Sequence, residues 1–522
     1  MHLLNNVSRR FFLRQAGAYS ALLGGAAPLA LNLAGVGAAA AQAAGGSGGD
    51  YRALVCVFLY GGNDAYNTVL QTDRSNLRAY LAARGQGPES IALAPAGVAP
   101  NPAAPAGSPA RLGGVLVLNP GSVSRTASLT VHPLLTALPP LFDAGRLAVL
   151  ANIGPLLRPT SKAQYANPLH PRPARLFSHN DQQNTWQALA PEGSTRGWGG
   201  RLADQVAALN GQPVFTAVSA AGNAVWLAGN EVRPYQVGLA GAIRLGVNEK
   251  GQIFDSAAAG ATLQRLVSQA RSSHPLDADV AAVGARSIIA EQALRTALRP
   301  ASDPAFGTPP NGGSYQPQVD PKLMFPNPLT GSPAYNPLAG QLQVVARLVD
   351  AGLRGAAGVR RQVFFVSLGG FDTHSLQNSQ HALLMARLSQ GLNYFDTALA
   401  ALGAQSQVTT FTASDFGRSL TSNGDGTDHG WGGHQFVMGA AVRGGRSYGT
   451  MPVLSSRNPN NNEFDASPEL LANGVLLPST SVDQLGFTLG RWFGASDAAL
   501  LDIFPSLANF NASVHDLRFM NA

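Results

Sequence analysis

Long uninterrupted apolar runs occur at several places in this chain, and each has the length of a strand. The clearest are residues 52–60 (RALVCVFLY), 146–154 (RLAVLANIG), 362–370 (QVFFVSLGG) and 408–414 (VTTFTAS). Runs of this kind, rich in β-branched and aromatic residues, are typical of strands buried on both faces of a parallel sheet. The same reasoning predicts strands at residues 213–220 (PVFTAVSA) and 224–229 (AVWLAG).

Between these runs the apolar residues recur at helical spacing. The segments predicted as helices are residues 134–142, 285–298, 338–353, 384–402, 483–493 and 497–503. Helices that alternate with buried strands at short spacing predict an α/β fold, with a large, mostly parallel sheet and helices on both faces. Residues 300–337 contain ten prolines. Because proline is excluded from helix interiors and central strands, we expect a surface excursion there rather than a domain boundary.

Composition narrows the class of protein. Of the 522 residues, 45% are apolar and only 12% are charged, which is typical of a compact globular chain. The net charge of +7 is small for this length. No Lys/Arg run follows the amino-terminal region, so nucleic-acid binding is not expected. The single cysteine, Cys56, lies inside an apolar run and excludes both an intramolecular disulfide and a thiolate metal site.

The amino-terminal residues have the pattern of an export signal. Residues 8–13 read SRRFFL, and an Ala/Leu/Gly stretch follows. Residues 38–45 have mostly small side chains, which suit a signal-peptidase cleavage site. This predicts a twin-arginine signal peptide at residues 1–44, with the export machinery as a partner and the periplasm or the exterior as the location. The stretch is weakly hydrophobic, so no permanent membrane span is expected. The length of residues 45–522 allows one large α/β domain or two to three ordinary ones, and the family resemblance given below implies a single domain.

Acidic and imidazole side chains follow the predicted strands. In open α/β sheets, ligands bind at the carboxyl ends of the strands. Asp and His together favour divalent cations, and the sequence does not distinguish Zn²⁺, Mn²⁺, Mg²⁺ and Ca²⁺. The candidate metal ligands are Asp64, Asp372, His374, Asp415, His429 and His434.

A separate polar loop, residues 177–183 (FSHNDQQ), allows two interpretations. Its Ser178 and His179 could supply a nucleophile and a further metal ligand, or the loop could be an ordinary capped turn before a helix. An Asp at a strand-to-helix turn, such as Asp64, is also often only an N-cap. Four other histidines lie in a helix, in irregular polar segments or before a proline, and they are interpreted as structural. They are His132, His170, His274 and His381.

Several long motifs resemble one family. They are SRRFFLRQAG, VFLYGGNDAYNTV, FSHNDQQNTW, SLGGFDTHSLQ, TASDFGRSLTSNGDGTDHGWGGHQFVMG and VRGGRSYG. Together they resemble the bacterial twin-arginine-exported family known as domain of unknown function 1501. That family in turn resembles the alkaline phosphatase and sulfatase superfamily, which implies an α/β sandwich with a two-metal site at the edge of the sheet.

The resemblance also implies roles for individual residues. Asp64 is similar to the first metal carboxylate, and Ser178 lies near the position of the nucleophile. The pair Asp372 and His374 resembles the ligands of one ion. Asp415 resembles the carboxylate of the other ion, and His434 the late histidine ligand. Where many superfamily members have Asp-His, this chain has Asp415-Phe416. Either His429 supplies the missing nitrogen or one metal site is absent.

The function implied is hydrolysis of a phosphate or sulfate ester, carried by a small molecule or a polymer, with two divalent ions. Arg418 is expected either to contact the anionic ester or to be a surface arginine in a turn. The alternative is a non-catalytic exported binding or accessory protein that keeps the fold. A third interpretation, a sugar- or polymer-binding surface, depends only on Trp186, Trp198 and Trp431.

Overall fold

The computed structural model describes residues 50–87, 89–119, 129–248, 250–269 and 274–521. The predicted signal peptide, residues 1–44, lies outside these ranges. Residues from Tyr51 onward group into one compact unit.

The strands of the described residues are β1 (Arg52–Tyr60), β2 (Val69–Gln71), β3 (Leu116–Val117), β4 (Leu129–Val131), β5 (Leu147–Gly154), β6 (Ala217–Ser219), β7 (Tyr235–Gly238), β8 (Gly241–Ala242), β9 (Met324–Pro326), β10 (Pro333–Tyr335), β11 (Arg361–Gly369), β12 (Val408–Ser414), β13 (Arg418–Ser422), β14 (Thr427–His429), β15 (Gly433–Met438), β16 (Arg446–Tyr448) and β17 (Thr480–Ser481). The α-helices are α1 (Ala65–Thr68), α2 (Arg74–Arg84), α3 (Pro109–Leu112), α4 (Leu138–Asp143), α5 (Lys162–Ala166), α6 (His179–Ala188), α7 (Trp198–Val206), α8 (Ala257–Ser268), α9 (Pro275–Ala297), α10 (Pro337–Leu353), α11 (Gln377–Ala401), α12 (Val482–Phe493) and α13 (Asp497–Ile503).

One large, mostly parallel sheet organises the chain, as the sequence predicts. Within the described residues it has ten strands in the order β16-β5-β15-β12-β1-β11-β6-β7-β8, with β17 also paired to β5. The central strands β12, β1, β11, β6 and β7 are adjacent in this order and run parallel to one another. β15 is antiparallel to both β12 and β5, so β5 again runs in the direction of the central strands. The predicted α/β architecture is therefore confirmed.

Strand β1 lies at the centre of this sheet and is buried on both faces. Its odd-numbered residues, including Val55 and Val57, pack into a core layer that contains α10 and α11. Its even-numbered residues, including Cys56 and Phe58, pack on the other side with α7, α12 and α13. Because alternate side chains of a strand point to opposite faces, covering both faces requires an unbroken apolar run. This is the pattern from which the strand was predicted.

Two local predictions need correction. Residues 224–229 were predicted as a strand, but Val225–Leu227 form a 3₁₀ turn. The Trp226 ring packs so closely on α7 that a Cβ atom at Gly199 would lie 2.3 Å from it. The Pro-rich segment at 300–337 contains 3₁₀ turns and the β9–β10 hairpin. It is not purely superficial, since Phe306 and Leu323 are fully buried in the core.

None of the helices within the described ranges combines the length and the apolar character needed to cross a membrane.

Candidate functional site

The carboxyl ends of three adjacent parallel strands create the site. Tyr60 of β1 is level with Gly369 of β11, and Leu59 is level with Ser414 of β12. The loops that follow these strands therefore leave the sheet at one edge, where open α/β sheets bind their ligands. The loop after β11 carries Asp372 and His374, and the loop after β12 carries Asp415.

Four side chains converge at this edge around one carboxylate oxygen. Oδ1 of Asp372 lies 3.4 Å from His179 Nε2, 3.1 Å from His374 Nε2 and 3.4 Å from His429 Nε2. The Nε2 atoms of His374 and His429 are 2.8 Å apart. His179 is the first residue of α6, and His429 is the last residue of β14. The fold thus brings together four candidate ligands from three separate parts of the chain.

Two of the histidines are held so that Nε2 is turned towards the cluster. His179 Nδ1 lies 2.7 Å from Asp415 Oδ2, and His429 Nδ1 lies 2.8 Å from the Phe177 carbonyl oxygen. A carbonyl oxygen can only accept, so His429 Nδ1 donates the hydrogen bond. The lone pair of a neutral His429 ring is then on Nε2. Carboxylate or carbonyl acceptors behind the imidazole are the usual support of metal-binding histidines.

The protonation of the two rings is set by opposite influences. The hydrogen bond to Asp415 raises the pKa of His179, although burial opposes this. Burial lowers the pKa of His429, which favours the neutral ring. His179 Nε2 is buried and has no hydrogen-bond partner among the described residues. This buried nitrogen lies 3.4 Å from the Asp372 carboxylate and beside the His429 ring, and it is available to bind a ligand.

His374 completes the cluster on its open side. Its Nδ1 lies 3.7 Å from Asp428 Oδ1, so a carboxylate also stands behind this third imidazole. The side chains of His374 and Asp372 are 45% and 47% exposed, whereas that of Asp415 is fully buried. Solvent and solutes can therefore reach the cluster from the side of His374 and Asp372.

Asp415 orients the site from behind. Its Oδ2 accepts hydrogen bonds from Gln183 Nε2 at 2.7 Å and from the Gly61 backbone N–H at 3.1 Å, in addition to its contact with His179. Gly61 has a φ of +113°, and a Cβ atom there would lie 2.4 Å from the Asp372 backbone nitrogen. Only glycine fits where the ends of β1 and β11 approach so closely.

Arg418 is fully buried beneath the cluster. Its Nη1 donates to Asp372 Oδ1 and to the Gly61 carbonyl, both at 3.0 Å. Its Nε and Nη2 donate to Thr427. Burial opposes the ionisation of Asp372, but the hydrogen bond and charge of Arg418 outweigh it and hold the pKa of Asp372 below its usual value. The neighbours of Arg418 are those of a positioning residue, not of a turn on the surface.

Ser178, the predicted nucleophile, is the N-cap residue of α6 and directly precedes His179. Its hydroxyl donates to Asp181 Oδ2 at 2.8 Å. The preceding residue, Phe177, has a φ of +72°, which non-glycine residues rarely adopt. This backbone turn accompanies the contact of the Phe177 carbonyl with His429.

Asp64 lies in a different environment from the one predicted. Both it and Arg84 are fully buried, and they form an ion pair of 2.6 Å. Oδ1 of Asp64 also caps α1 by accepting from the backbone N–H groups of Tyr66 and Asn67. Burial opposes its ionisation, but Arg84 holds the pKa of Asp64 below the usual value. These partners account for Asp64 as a structural carboxylate.

The structure does not bring Asp64 or His434 into the cluster. His434 is buried, and its Nδ1 accepts a hydrogen bond from the Asn152 backbone N–H at 3.1 Å. Burial lowers the pKa of His434 to about 4, so this ring is neutral. Among the residues described by the structure, one group of three or more acidic, histidine or cysteine side chains has its ligand atoms within 4.8 Å of one another, and it consists of His179, Asp372 and His429.

Histidines interpreted as structural have local partners. His132 and His381 are buried, with ring centroids 5.4 Å apart. His170 contacts Thr160, and His274 caps α9. The three tryptophans considered for sugar binding are also buried, with exposures of 2% for Trp186, 2% for Trp198 and 0% for Trp431. They form part of the core and offer no aromatic surface.

Sequence reasoning missed three contributors to the site. The Phe416 ring lies 4.8 Å from the rings of both His179 and His429 and forms an apolar wall there. The amide of Gln183 and the carbonyl of Phe177 are the others. Gln183 lies four residues after His179, on the same face of one helix, and this spacing was the signal that could have found it.

The ligand atoms of His179, Asp372 and His429 all lie within 4.8 Å of one another and could hold a single ion, whereas His374 is not part of that group. Tetrahedral bonds of 2.0–2.2 Å place ligand atoms roughly 3.3–3.6 Å apart. The separations around Asp372 Oδ1 are 3.1–3.4 Å, and that between the two imidazole nitrogens is 2.8 Å. A donor set of two imidazoles and one carboxylate is also one that transition metals accept, and His374 adds a third imidazole beside it. The residues present therefore fit a metal ion.

Comparison with known proteins adds a family match. Residues 330–504, about a third of the chain, match the family described as "Protein of unknown function (DUF1501)". This segment contains Asp372, His374, Asp415 and His429 and agrees with the resemblance seen in the sequence. No curated protein is found to match the chain.

Among solved structures, the chain is similar to the crystal structure of Ps i-CgsB in complex with k-i-k-neocarrahexaose, with 9% sequence identity and a TM-score of 0.29 over 88% of this chain and 76% of that one. A second structure, of Ps i-CgsB alone, has 10% identity and a TM-score of 0.29 over 72% of this chain and 71% of that one. Likeness at this level carries no functional information, so function has to be inferred from the site itself.

Proposed function

We propose that this chain is an exported metal-dependent hydrolase of phosphate or sulfate esters. The observation that supports it most is the convergence of three imidazole Nε2 atoms and one carboxylate oxygen at the carboxyl edge of the sheet. The resemblance of the motifs to the alkaline phosphatase and sulfatase superfamily supplies the reaction class.

Three residues, His179, Asp372 and His429, would hold one divalent ion, with His374 beside them at 3.1 Å from Asp372 Oδ1. Imidazole ligands favour zinc or a similar transition metal over magnesium or calcium, which prefer oxygen ligands. The second of the two predicted ions has no comparable group of ligands among the described residues. A divalent cation at this position supplies Lewis-acid charge, which offsets the negative charge that develops on the ester.

The residues of the chain have separate tasks in this proposal. Asp415 fixes the ring of His179, and Arg418 fixes the carboxylate of Asp372, so that neither has to reorganise when substrate arrives. The half-exposed side of His374 and Asp372 provides the way in for an ester.

Ser178 remains the proposed nucleophile. Its hydroxyl already donates to Asp181 Oδ2 at 2.8 Å, which places a proton acceptor where a serine nucleophile requires one. Ser178 Oγ would form a bond to phosphorus or sulfur and pass its proton to Asp181. The ester oxygen would leave with the electrons of the broken bond, and water would then hydrolyse the covalent intermediate.

The alternative, an exported binding protein without catalysis, has one observation in its favour. Arg418 is buried and donates to Asp372, Gly61 and Thr427, so it does not reach an anionic substrate. A site that lacks an accessible arginine is poorer in positive charge than an esterase of dianions usually requires.

Turnover of an aryl phosphate and an aryl sulfate by the purified protein tests the proposal. We expect hydrolysis that a chelator abolishes and that Zn²⁺ restores. Ser178→Ala should remove turnover and keep bound metal, Asp372→Asn should remove both, and His170→Ala, a histidine outside the site, should change neither. Bound metal without turnover of either ester would favour the binding protein.

A further inference from the structure

A cavity of about 380 Å³ lies near the amino end of β1, away from the metal-ligand cluster. Its lining includes four arginines, Arg52, Arg443, Arg491 and Arg518, and a single acidic residue, Asp516. Arg52 is the first residue of β1, whereas the cluster lies beyond its last residue. At about 3.3 Å per residue, the nine residues of this strand separate the two regions by roughly 30 Å. The cavity is therefore distinct from the site described above.

The positive charge of this cavity is only partly neutralised. Arg491 pairs with Asp497 at 3.0 Å and with Asp516 at 2.9 Å. Arg443 and Arg518 form no ion pair with any of the described residues, and Arg443 Nε donates only a hydrogen bond of 3.3 Å to the Asn521 amide oxygen. The positive charge left in the cavity therefore comes from Arg443 and Arg518.

Parts of the cavity wall are held in a fixed arrangement. The Arg52 guanidinium lies 5.6 Å from the centre of the Trp492 ring and donates to the Trp492 carbonyl. The Arg518 backbone has a φ of +60°, and its N–H donates to Asp516 Oδ1 at 2.7 Å. An arginine held in the left-handed region costs conformational energy, which the surrounding contacts must offset. Like charges brought together add a further cost that an anion would remove.

We propose that this cavity binds a tetrahedral oxyanion of the phosphate or sulfate type. The planar guanidinium fork matches two oxygens of such a group, and arginines from several chain segments can surround it. A cavity of this size also has room for the group that carries the anion. The same chemistry is offered by a free anion and by a phospholipid headgroup. The site is independent of the proposed hydrolysis.

Calorimetric titration of the chelator-treated protein with inorganic phosphate and with sulfate tests this site, since removal of metal excludes binding at the cluster. We expect saturable binding that becomes at least tenfold weaker in the double variant Arg443→Ser, Arg518→Ser. Arg78→Ser, which removes one exposed charge from α2, is the matched control and should bind as the wild type does. The double variant Arg443→Lys, Arg518→Lys keeps the two charges but loses the planar guanidinium groups. We expect it to bind the anions about threefold more weakly than the wild type.

A vesicle arm distinguishes the source of the anion. Co-sedimentation with phosphatidylglycerol vesicles that the double Ser variant loses would identify a headgroup. Binding of the free anions alone would identify a solute, and both outcomes support the site. The proposal fails if phosphate, sulfate and vesicles all bind the double Ser variant as well as they bind Arg78→Ser. If the double Ser variant does not fold, the double Lys variant replaces it in the test. Equal binding by the double Lys variant and the wild type then overturns the proposal.

Discussion

Asp64 is paired with Arg84 in the protein interior, and one substitution at Asp64 shows whether its role is structural or metal-binding. Asp64→Asn keeps a side chain that can cap α1, because Asn and Asp are equally good N-caps. It removes the carboxylate that pairs with Arg84 within the described part of the chain, and the Arg84 side chain has no exposed surface. Removing one partner of a buried ion pair leaves the other uncompensated and costs about 3–5 kcal/mol. We therefore expect a large loss of stability and no loss of bound metal.

Asp73→Asn is the matched control for this experiment. Asp73 caps α2 by accepting from the backbone N–H groups of Ser75 and Asn76, as Asp64 does for α1, but it has no buried arginine beside it. Its replacement should cost less than about 1 kcal/mol. In urea unfolding with an m-value of about 3 kcal/mol per molar, the Asp64 variant should lose roughly 1–1.7 M in midpoint and the Asp73 variant little.

Two results would refute the reasoning about Asp64. Equal destabilisation by the two substitutions would mean that the ion pair contributes nothing beyond the cap. Loss of metal from folded Asp64→Asn would restore the role predicted from the sequence. The pair also has an acid signature: because the pKa of Asp64 is lowered in the folded state, its contribution is present above the unfolded value of about 3.9 and is lost as pH falls further.

Three further predictions concern the site and its surroundings. Asp415→Asn should weaken metal binding by about 10–100-fold in a chelator competition, with the unfolding temperature of the metal-free protein nearly unchanged; wild-type affinity would contradict the supporting role. Gly61→Ala should displace Asp372 and weaken metal binding by at least about tenfold in the same assay, and unchanged affinity would show that the close approach is not required. The pKa values of His381 and His434 are both lowered to about 4, so the stability of the metal-free protein should decrease as pH falls from about 6.5 towards 4. Urea midpoints at several pH values should show a smaller decrease for His434→Gln, and an identical decrease would be inconsistent with the buried neutral ring.

The central sheet could be predicted from the sequence because its strands are covered on both faces. Strands β1, β5 and β11 were predicted from uninterrupted apolar runs, and each is almost fully buried. The run at 224–229 is just as apolar but forms a 3₁₀ turn, since the packing of Trp226 against α7 decides its conformation. The local sequence pattern does not predict this contact between Trp226 and α7.

The candidate site could be predicted only in part from the sequence, for a similar reason. Asp372 and His374 follow strand β11, and a strand-end rule finds them. His179 lies in a separate loop that leads into α6, and the sequence left its role open. Asp64 satisfies the same rule, yet it faces an arginine twenty residues later in the chain. Whether a strand-end carboxylate binds a metal or an arginine depends on a distant side chain, which spacing alone does not indicate.

The metal content of the purified protein tests the central claim most directly. With mass-spectrometric metal analysis, the account predicts about one transition-metal ion per chain, as expected for a single site with three protein ligands. The ion should be lost in Asp372→Ala with His429→Ala and retained in His434→Gln. Protein without bound divalent metal, or a double variant that binds as much as the wild type, would contradict it.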